Sequence, residues 1–402
     1  MPESTLKPGW RRVKLGDFVR LIGDRCDPAA EGIERYVGLE HIETEDLQVR
    51  SWGLVSEGTT FTSRFRPGQV LFGKRRAYQR KVAFADFEGV CSGDIYIMES
   101  ASSEHFLPEL LPFLCQTQSF FEHAVGTSAG SLSPRTNWAS LASYEFALPP
   151  LDEQRRIIRV LAAAEATRSA FLVAHQKAEA LYRSAAAQSF SAVRHGRNGF
   201  RTSPVDWAPK GWPCVPLGEL NDQCAPICYG IVQLGDLVPD GVPVLRTENL
   251  NGDYSRDLRR VSCAVDEEYR RSRTRGGDVL LAIQGVSTGK IGVVPSGFEG
   301  NINRHVARLR LGPRMHREFF VHLWRSIPYS AYVASIAVGT TKPELTIGDL
   351  RSMLVPCPPV EIQEQVAGKL SHLERWMREL IERGHDAQQV QRALISASME
   401  NG

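Results

Sequence analysis

Lysine is scarce in this chain: of 48 basic residues in 402, nine are lysine and 39 arginine. Long apolar runs are missing, and none approaches the roughly 20 residues that cross a bilayer, which excludes a helical span. Residues 1–10 lack the apolar core of a signal peptide, so the expected compartment is the cytoplasm. Eight cysteines are scattered over the whole length, without the density of a secreted scaffold, and are read as reduced thiols. Cys214, Cys224 and Cys228 are the nearest approach to a ligand group. No second close pair or neighbouring histidine completes a zinc set, so no metal is expected. Net charge is only +2, which argues against a nonspecific polycation.

Catalytic signatures are also missing. Gly285-Val286-Ser287-Thr288-Gly289-Lys290 looks like a phosphate loop. It has three residues between its outer glycines where the Walker pattern needs four, and Ile291 where a magnesium-binding hydroxyl belongs. Pro149-Pro150 and Pro358-Pro359 are similar to the amino-methyltransferase element. Leu148 and Leu151, or Cys357 and Val360, flank them in place of the polar group that would hold the target amine. There is no glycine-rich cofactor fingerprint after a strand, no His–Cys pair with triad logic and no nuclease carboxylate–lysine cluster. The ten histidines are spread out. The sequence offers binding without a chemical centre, and neither a catalytic residue nor a cofactor is expected.

What the chain does have is an internal repeat. Leu148-Pro149-Pro150-Leu151-Asp152-Glu153-Gln154 precedes a long helix-forming tract. Val355-Pro356-Cys357-Pro358-Pro359-Val360-Glu361-Ile362-Gln363-Glu364-Gln365 precedes another. Each proline pair closes an extended run, and each acidic residue after it suits a helix first turn. Aligned on Glu-Gln, the second copy carries two extra residues, Ile362 and Gln363. The openings repeat as well: Gly9-Trp10 through Leu15-Gly16-Asp17 matches Gly211-Trp212 through Leu217-Gly218-Glu219. So do Tyr36-Val37-Gly38-Leu39 and Val244-Leu245-Arg246-Thr247.

Within each copy, alternating apolar residues predict strands at 70–74, 81–85 and 94–98, and at 279–283 and 306–311. In 306–311, Ala307, Leu309 and Leu311 make a buried face, while Val306, Arg308 and Arg310 make a mostly polar one. Helices are expected over 108–125 and 317–338. The second long tract carries Leu370, Leu373, Met377, Leu380, Gly384, Ala387 and Leu394 at coiled-coil spacing, interrupted by Gln391. The first carries Ile157, Leu161, Ala164, Phe171 and Ala178, interrupted by Arg168 and His175. The tracts are expected to pair antiparallel. The organisation is then a first domain at 1–150, a central helix at 151–195, a linker at 196–210, a second domain at 211–357 and a C-terminal helix at 358–402. The linker rests on Gly196, Gly199, Pro204 and Pro209.

The candidate binding residues are basic. Residues 64–81 hold seven cations and no acid. Lys74, Arg75, Arg76, Arg80 and Lys81 surround Tyr78 and Gln79. Lysine and arginine neutralise phosphates, while arginine and glutamine read base edges. In the second copy the corresponding loop offers Gln284, Ser287, Thr288 and Lys290. Arg304 and Lys342 complete the DNA-binding set. Arginine suits phosphate and guanine, yet its abundance also follows from a GC-rich genome, so composition leaves both readings open. The arginines at 256–275 are diluted by Asp257, Asp266, Glu267 and Glu268, and part of that run is read as surface salt bridging.

The chain resembles the DNA specificity subunit of type I restriction-modification systems over essentially its whole length. The twice-repeated Gly-Thr (126–127 and 339–340) to Pro-Pro ending carries the resemblance. So does the run Leu71-Phe72-Gly73-Lys74-Arg75-Arg76-Ala77-Tyr78-Gln79-Arg80-Lys81-Val82, followed by Phe87-Glu88-Gly89-Val90-Cys91-Ser92-Gly93. It implies an α+β chain of two repeated mixed α/β target-recognition domains, separated by two long helices that form an antiparallel coiled coil. Each domain would read half of a split double-stranded DNA target. The helices would set the spacing and dock two modification subunits that bind S-adenosylmethionine and methylate adenine. Restriction subunits, ATP-dependent translocase/endonucleases, would be further partners where the system restricts. A repeated adaptor scaffold that does not bind DNA and a self-sufficient methyltransferase are the alternatives.

Overall fold

In a computed structural model of the chain, residues 6–191, 203–252, 254–255, 258–339 and 343–400 are described. They form two compact units. One comprises Met1–Ala174 with Leu380–Gly402, the other His175–Glu379.

The first unit contains strands β1 (Arg11–Lys14), β2 (Val19–Ile22), β3 (Arg35–Val37), β4 (Gly53–Leu54), β5 (Ser63–Phe65), β6 (Val70–Gly73), β7 (Val82–Phe84), β8 (Gly89–Cys91), β9 (Ile95–Ser100) and β10 (Glu145–Leu148). Two four-stranded sheets, ordered β2-β9-β6-β7 and β4-β3-β8-β5, carry the domain. The pair β1-β10 brings the ends of the domain together, with Arg11 opposite Leu148. Short helices α1 (Leu111–Leu114), α2 (Gln118–Gly126) and α3 (Trp138–Ala142) cover the first sheet. The helix expected over 108–125 is broken, because Thr117 leaves the helical region and caps α2 by accepting from the Phe120 amide. Val70 and Phe72 point to a core shared with Phe120 and Phe121, while Leu71 and Ile97 point to a second core with Phe65.

The 40-residue helix α4 (Leu151–Phe190) follows. The second unit then repeats the plan. Helix α5 (Pro204–Trp207), strand β11 (Cys214–Pro216) and helix α6 (Leu217–Leu220) open it. They are followed by β12 (Cys228–Tyr229), β13 (Val242–Leu245), β14 (Arg259–Val261), helix α7 (Cys263–Glu268), β15 (Thr274–Arg275), β16 (Val279–Ala282), β17 (Ile291–Val293), β18 (Glu299–Ile302) and β19 (Val306–Leu309). Helices α8 (Arg317–Arg325), α9 (Ile327–Ile336) and α10 (Ile347–Ser352) and strand β20 (Leu354–Pro356) lead to the second 40-residue helix, α11 (Val360–Met399). The sheet orders match strand for strand: β12-β19-β16-β17, β14-β13-β18-β15, and the closing pair β11-β20.

Three expectations change here. Helix 317–338 is interrupted at Ser326, because Pro328 removes an amide and clashes with the preceding turn. The 196–210 linker does not extend through its C-terminal part: Pro204–Trp207 is helical and Trp207 is fully buried in the unit's core. Residues 196–202 lie outside the described residues. Strand 306–311 shortens to Val306–Leu309 and is buried on both faces, Arg308 included, because the second sheet covers the face that alternation marks as polar.

The junction with each long helix is made by one buried glutamine. Gln154 accepts from the Leu107 amide and donates to the carbonyls of His105 and Pro149, each at 2.9 Å. Gln363 accepts from the His316 amide at 2.8 Å and donates to the carbonyls of Arg314 and Pro358 at 3.0 and 2.7 Å. Both are wholly buried. Each therefore satisfies three backbone groups that burial would otherwise leave unpaired. Gln363 stands five residues after Pro358, as Gln154 does after Pro149. The second copy thus has no insertion, and the repeated unit is Pro-Pro-x-x-x-Gln.

In each unit the segments of α4 and α11 run antiparallel. In the first unit, Ile157 and Leu161 share a core with Ile395 and Met399, and Glu165 accepts from Gln391 at 2.7 Å. In the second, Ala185 and Phe190 share a core with Ala367 and Leu370. The seam interruption at Arg168 is a buried ion network. Its guanidinium pairs with Asp46 at 2.6 Å and Glu165 at 2.8 Å, and Arg50 holds the other Asp46 oxygen at 2.6 Å. Burial alone would push the Asp46 carboxyl up. Arg50, the Gln48 amide and Arg168 together hold it below the usual carboxylate range.

Candidate nucleic-acid interface

The sheet registers align the two candidate loops residue by residue. Val70 and Phe72 in β6 stand where Val279 and Leu281 stand in β16, so Arg75 corresponds to Gln284 and Lys81 to Lys290. The backbone repeats accordingly. The Arg76 amide donates to the Pro134 carbonyl, and the Gly285 amide to that of Pro343. Gly73 donates to Lys81, and Ala282 to Lys290. Arg75 bridges Arg135, and Gln284 bridges Glu344.

The turn requires two left-handed residues. In the second copy they are Gly285 (φ 87°) and Gly289 (φ 89°); in the first they are Arg76 (φ 56°) and Arg80 (φ 53°). A residue with a Cβ pays roughly 1–2 kcal/mol there. The first copy thus keeps two arginines where the backbone favours glycine.

The side chains divide by role. Arg80 is anchored: it donates to Gln118 and to the Gln116 carbonyl at 2.7 and 3.0 Å, pairs with Glu45 at 3.0 Å and lies 4.5 Å from the Phe121 ring. Glu45 in turn is held from α11 by Gln388 and Arg392. Lys81 donates to the Leu39 carbonyl at 2.6 Å, and Lys74 lies over the Tyr96 ring. Arg75 contacts Ser133 and Asp94. Asp94 also holds Arg135 at 2.9 Å. Burial would raise the Asp94 carboxyl, but Arg135 and Arg75 keep it below its ordinary range. Arg76, Tyr78 and Gln79 remain: Arg76 is exposed, Tyr78 is 55% exposed and Gln79 half-buried, and among the described residues no hydrogen bond or ion pair holds any of the three side chains. They form the outward face of the loop.

In the second loop Thr288 is structural, donating to the Gly285 and Pro343 carbonyls at 2.7 and 2.6 Å. Gln284 is exposed, and Ser287 and Lys290 are half-buried. Arg304 is exposed, in the turn that pairs with Ile283 through His305. Lys342 lies outside the described residues. Sequence reasoning missed Arg135 and the buried Gln363. Arg135 sits in a loop with no basic run. Gln363 was hidden by aligning on Glu-Gln, whereas its distance from the proline pair would have found it.

Residues 7–177 match the model of the type I restriction modification DNA specificity domain. The EcoBI type I specificity subunit of Escherichia coli is 31% identical over 168 residues, 41% of this chain and 35% of that protein. The MjaVIII specificity subunit of Methanocaldococcus jannaschii is 19% identical over 401 residues, 91% of this chain and 86% of that one. The first domain and the start of α4 thus match the type I DNA specificity domain. The alignment with the EcoBI protein spans about a third of that subunit's length. Two solved structures share the fold across the whole chain. A chain from a type I restriction-modification assembly has 22% identity, a TM-score of 0.58 and 98% coverage of both chains. The S subunit from M. genitalium has 12% identity, a TM-score of 0.59 and coverage of 99% and 98%. The specificity-domain match ends inside α4; the second copy repeats the sheet order of the first.

Proposed function

We propose that this chain is the sequence-reading component of a type I restriction-modification complex. Each globular domain reads one half of a bipartite DNA target through its 74–81 or 284–290 loop. The observation that carries this reading is the pair of left-handed arginines. One loop backbone is used twice, with glycine where the turn prefers it in one copy and arginine in the other. Backbone strain of this kind persists where the side chain is needed. Arg80 braces the loop, while Arg76, Tyr78 and Gln79 face outward with the chemistry that contacts phosphates and base edges.

Helices α4 and α11, at 40 residues each, are about 60 Å long and act as the spacer between half-sites. Two modification subunits dock on the repeated helix starts, at 152–168 and 361–375. Asp152, Arg155 and Arg156 are exposed in the first stretch, and Glu361, Glu364 and Arg375 in the second; Arg168 is held internally. Methyl transfer from S-adenosylmethionine belongs to those partners, and restriction subunits join where the system cleaves.

The test is DNA binding by the chain with its modification partner, as a function of salt. Sequence-selective binding that weakens linearly in log salt supports the reading. Absence of DNA binding at any salt concentration favours the adaptor scaffold. Methyl transfer by the isolated chain would show instead that it carries the chemistry itself.

A further inference from the structure

The repeat allows each domain to serve as the control for the other, and one difference between them builds a site. In the first domain β6 pairs with β9 so that Leu71 faces Ile97; in the second β16 pairs with β19 so that Leu280 faces Arg308. Arg308 thus takes the place of Ile97, a core residue 2% exposed. By the same reasoning Thr274, opposite Gly300, takes the place of Phe65, opposite Gly89. Phe65 and Ile97 fill the space between the two sheets of the first domain. Their replacements line a cavity of about 850 Å³ at the corresponding place in the second.

The cavity is cationic. Arg308 is 3% exposed. It donates to the Pro226 carbonyl at 2.8 Å, and its Nε has no partner. Among the described residues no carboxylate pairs with it. Arg271 and Arg275 line the mouth, also without an ion-pair partner, whereas Arg273 and Arg310 are taken up by Asp266 and Asp278. The remaining lining carboxylates, Asp240 and Glu299, are exposed. A guanidinium taken out of water without a counter-charge is destabilising, and the first domain shows that the fold accepts an isoleucine there.

We propose that this cavity binds a phosphoryl group carried by a small molecule of nucleotide size, with Arg308 as its floor and Arg271 and Arg275 at its mouth. Guanidinium groups recognise phosphate by paired, charge-assisted hydrogen bonds, and the volume lies within the range of small-molecule sites. A duplex phosphate is the other source of the same chemistry. A rod the width of DNA does not reach a side chain so deeply placed between two sheets, which favours the small molecule. The proposal does not rest on the reading of the two loops.

The experiment is calorimetric titration of the full chain, without DNA or partners, using inorganic phosphate, adenosine 5′-monophosphate and adenosine. Saturable binding of the monophosphate, weaker binding of phosphate and none of adenosine are expected. Arg308→Ile, which installs the first domain's residue, and the exposed Arg271→Gln should each weaken binding about tenfold or more. Arg308→Ile should melt no lower than the parent. No saturable binding of either phosphate compound at millimolar concentration would overturn the proposal, as would undiminished binding by Arg308→Ile. If neither compound binds but Arg271→Gln lowers the salt dependence of duplex binding, the phosphate is that of DNA and the small-molecule site is refuted.

Discussion

Replacing Arg76 by glycine separates stability from recognition. Arg76 holds φ 56° in a turn whose twin uses Gly285. Relief of the left-handed strain is worth about 1–2 kcal/mol, offset by about 0.5–1 kcal/mol for glycine's greater freedom in the unfolded chain. Among the described residues the guanidinium has no hydrogen bond or ion pair to lose. The net is a stabilisation of about 0–1.5 kcal/mol, a rise in melting temperature of roughly 0–5 °C for a unit of this size. DNA affinity should move the other way. Loss of a base-reading arginine costs about 1–3 kcal/mol and relaxes one position; loss of a phosphate contact weakens all sequences alike. Arg80→Gly is the contrast. It forfeits two hydrogen bonds, the Glu45 pair and the Phe121 contact. The net loss should be about 2–5 kcal/mol, since charged hydrogen bonds contribute about 1.5–3 kcal/mol each before strain relief is subtracted. Thermal unfolding of both variants, with DNA affinity at two salt concentrations, is the assay. An Arg76→Gly chain that melts several degrees lower, or binds DNA with unchanged affinity and salt slope, would refute the reasoning.

Gln154→Leu and Gln363→Leu should each cost about 2–4 kcal/mol by stranding three buried backbone groups, and denaturant midpoints would show it; neutrality at either site would remove the glutamine as the junction's fastener. Arg168→Met should destabilise by about 3–5 kcal/mol because Glu165 stays buried without its cation and Asp46 keeps only Arg50, and chemical denaturation measures the loss. Acid should act on the second unit through His322, which lies between the Tyr182 hydroxyl and the Ser371 hydroxyl, at 2.9 Å from each. Burial lowers its pKa from 6.5 to about 4, so the folded state binds fewer protons than the unfolded one between those values. The stabilisation is complete above about pH 6.5 and is lost as pH falls towards 4, by roughly 3 kcal/mol. His322→Gln should flatten that part of the stability–pH profile, and an unchanged slope would rule the histidine out as its source.

Much of this was legible because repetition marks what folding needs twice. The proline pairs, the glycine-opened turns and the coiled-coil spacing of Leu370, Leu373, Met377 and Leu380 each mark an element directly. Less legible were features that depend on what lies across the fold. Alternation in 306–311 gives one polar face, yet a second sheet covers Arg308. Arg168 reads as a seam defect because its partner Asp46 is 122 residues away. Trp207 looks like part of a linker rich in proline and glycine until the core that receives it is known. In the loop, sequence gives the cations but not the division between those that brace and those that face outward. That division is set by Gln116, Gln118, Glu45 and Leu39, none of them near the loop in sequence.

The central claim is that the two copies read two halves of one DNA target. Methylome sequencing of a host expressing the chain with its modification partner tests it most directly, comparing the parent with Gln79→Ala and Gln284→Ala. The account predicts adenine methylation at a single split, asymmetric motif. Gln79→Ala should relax positions in one half only, and Gln284→Ala positions in the other, with the gap between halves unchanged. Methylation without a bipartite motif, or a substitution in one loop that relaxes both halves together, would contradict it.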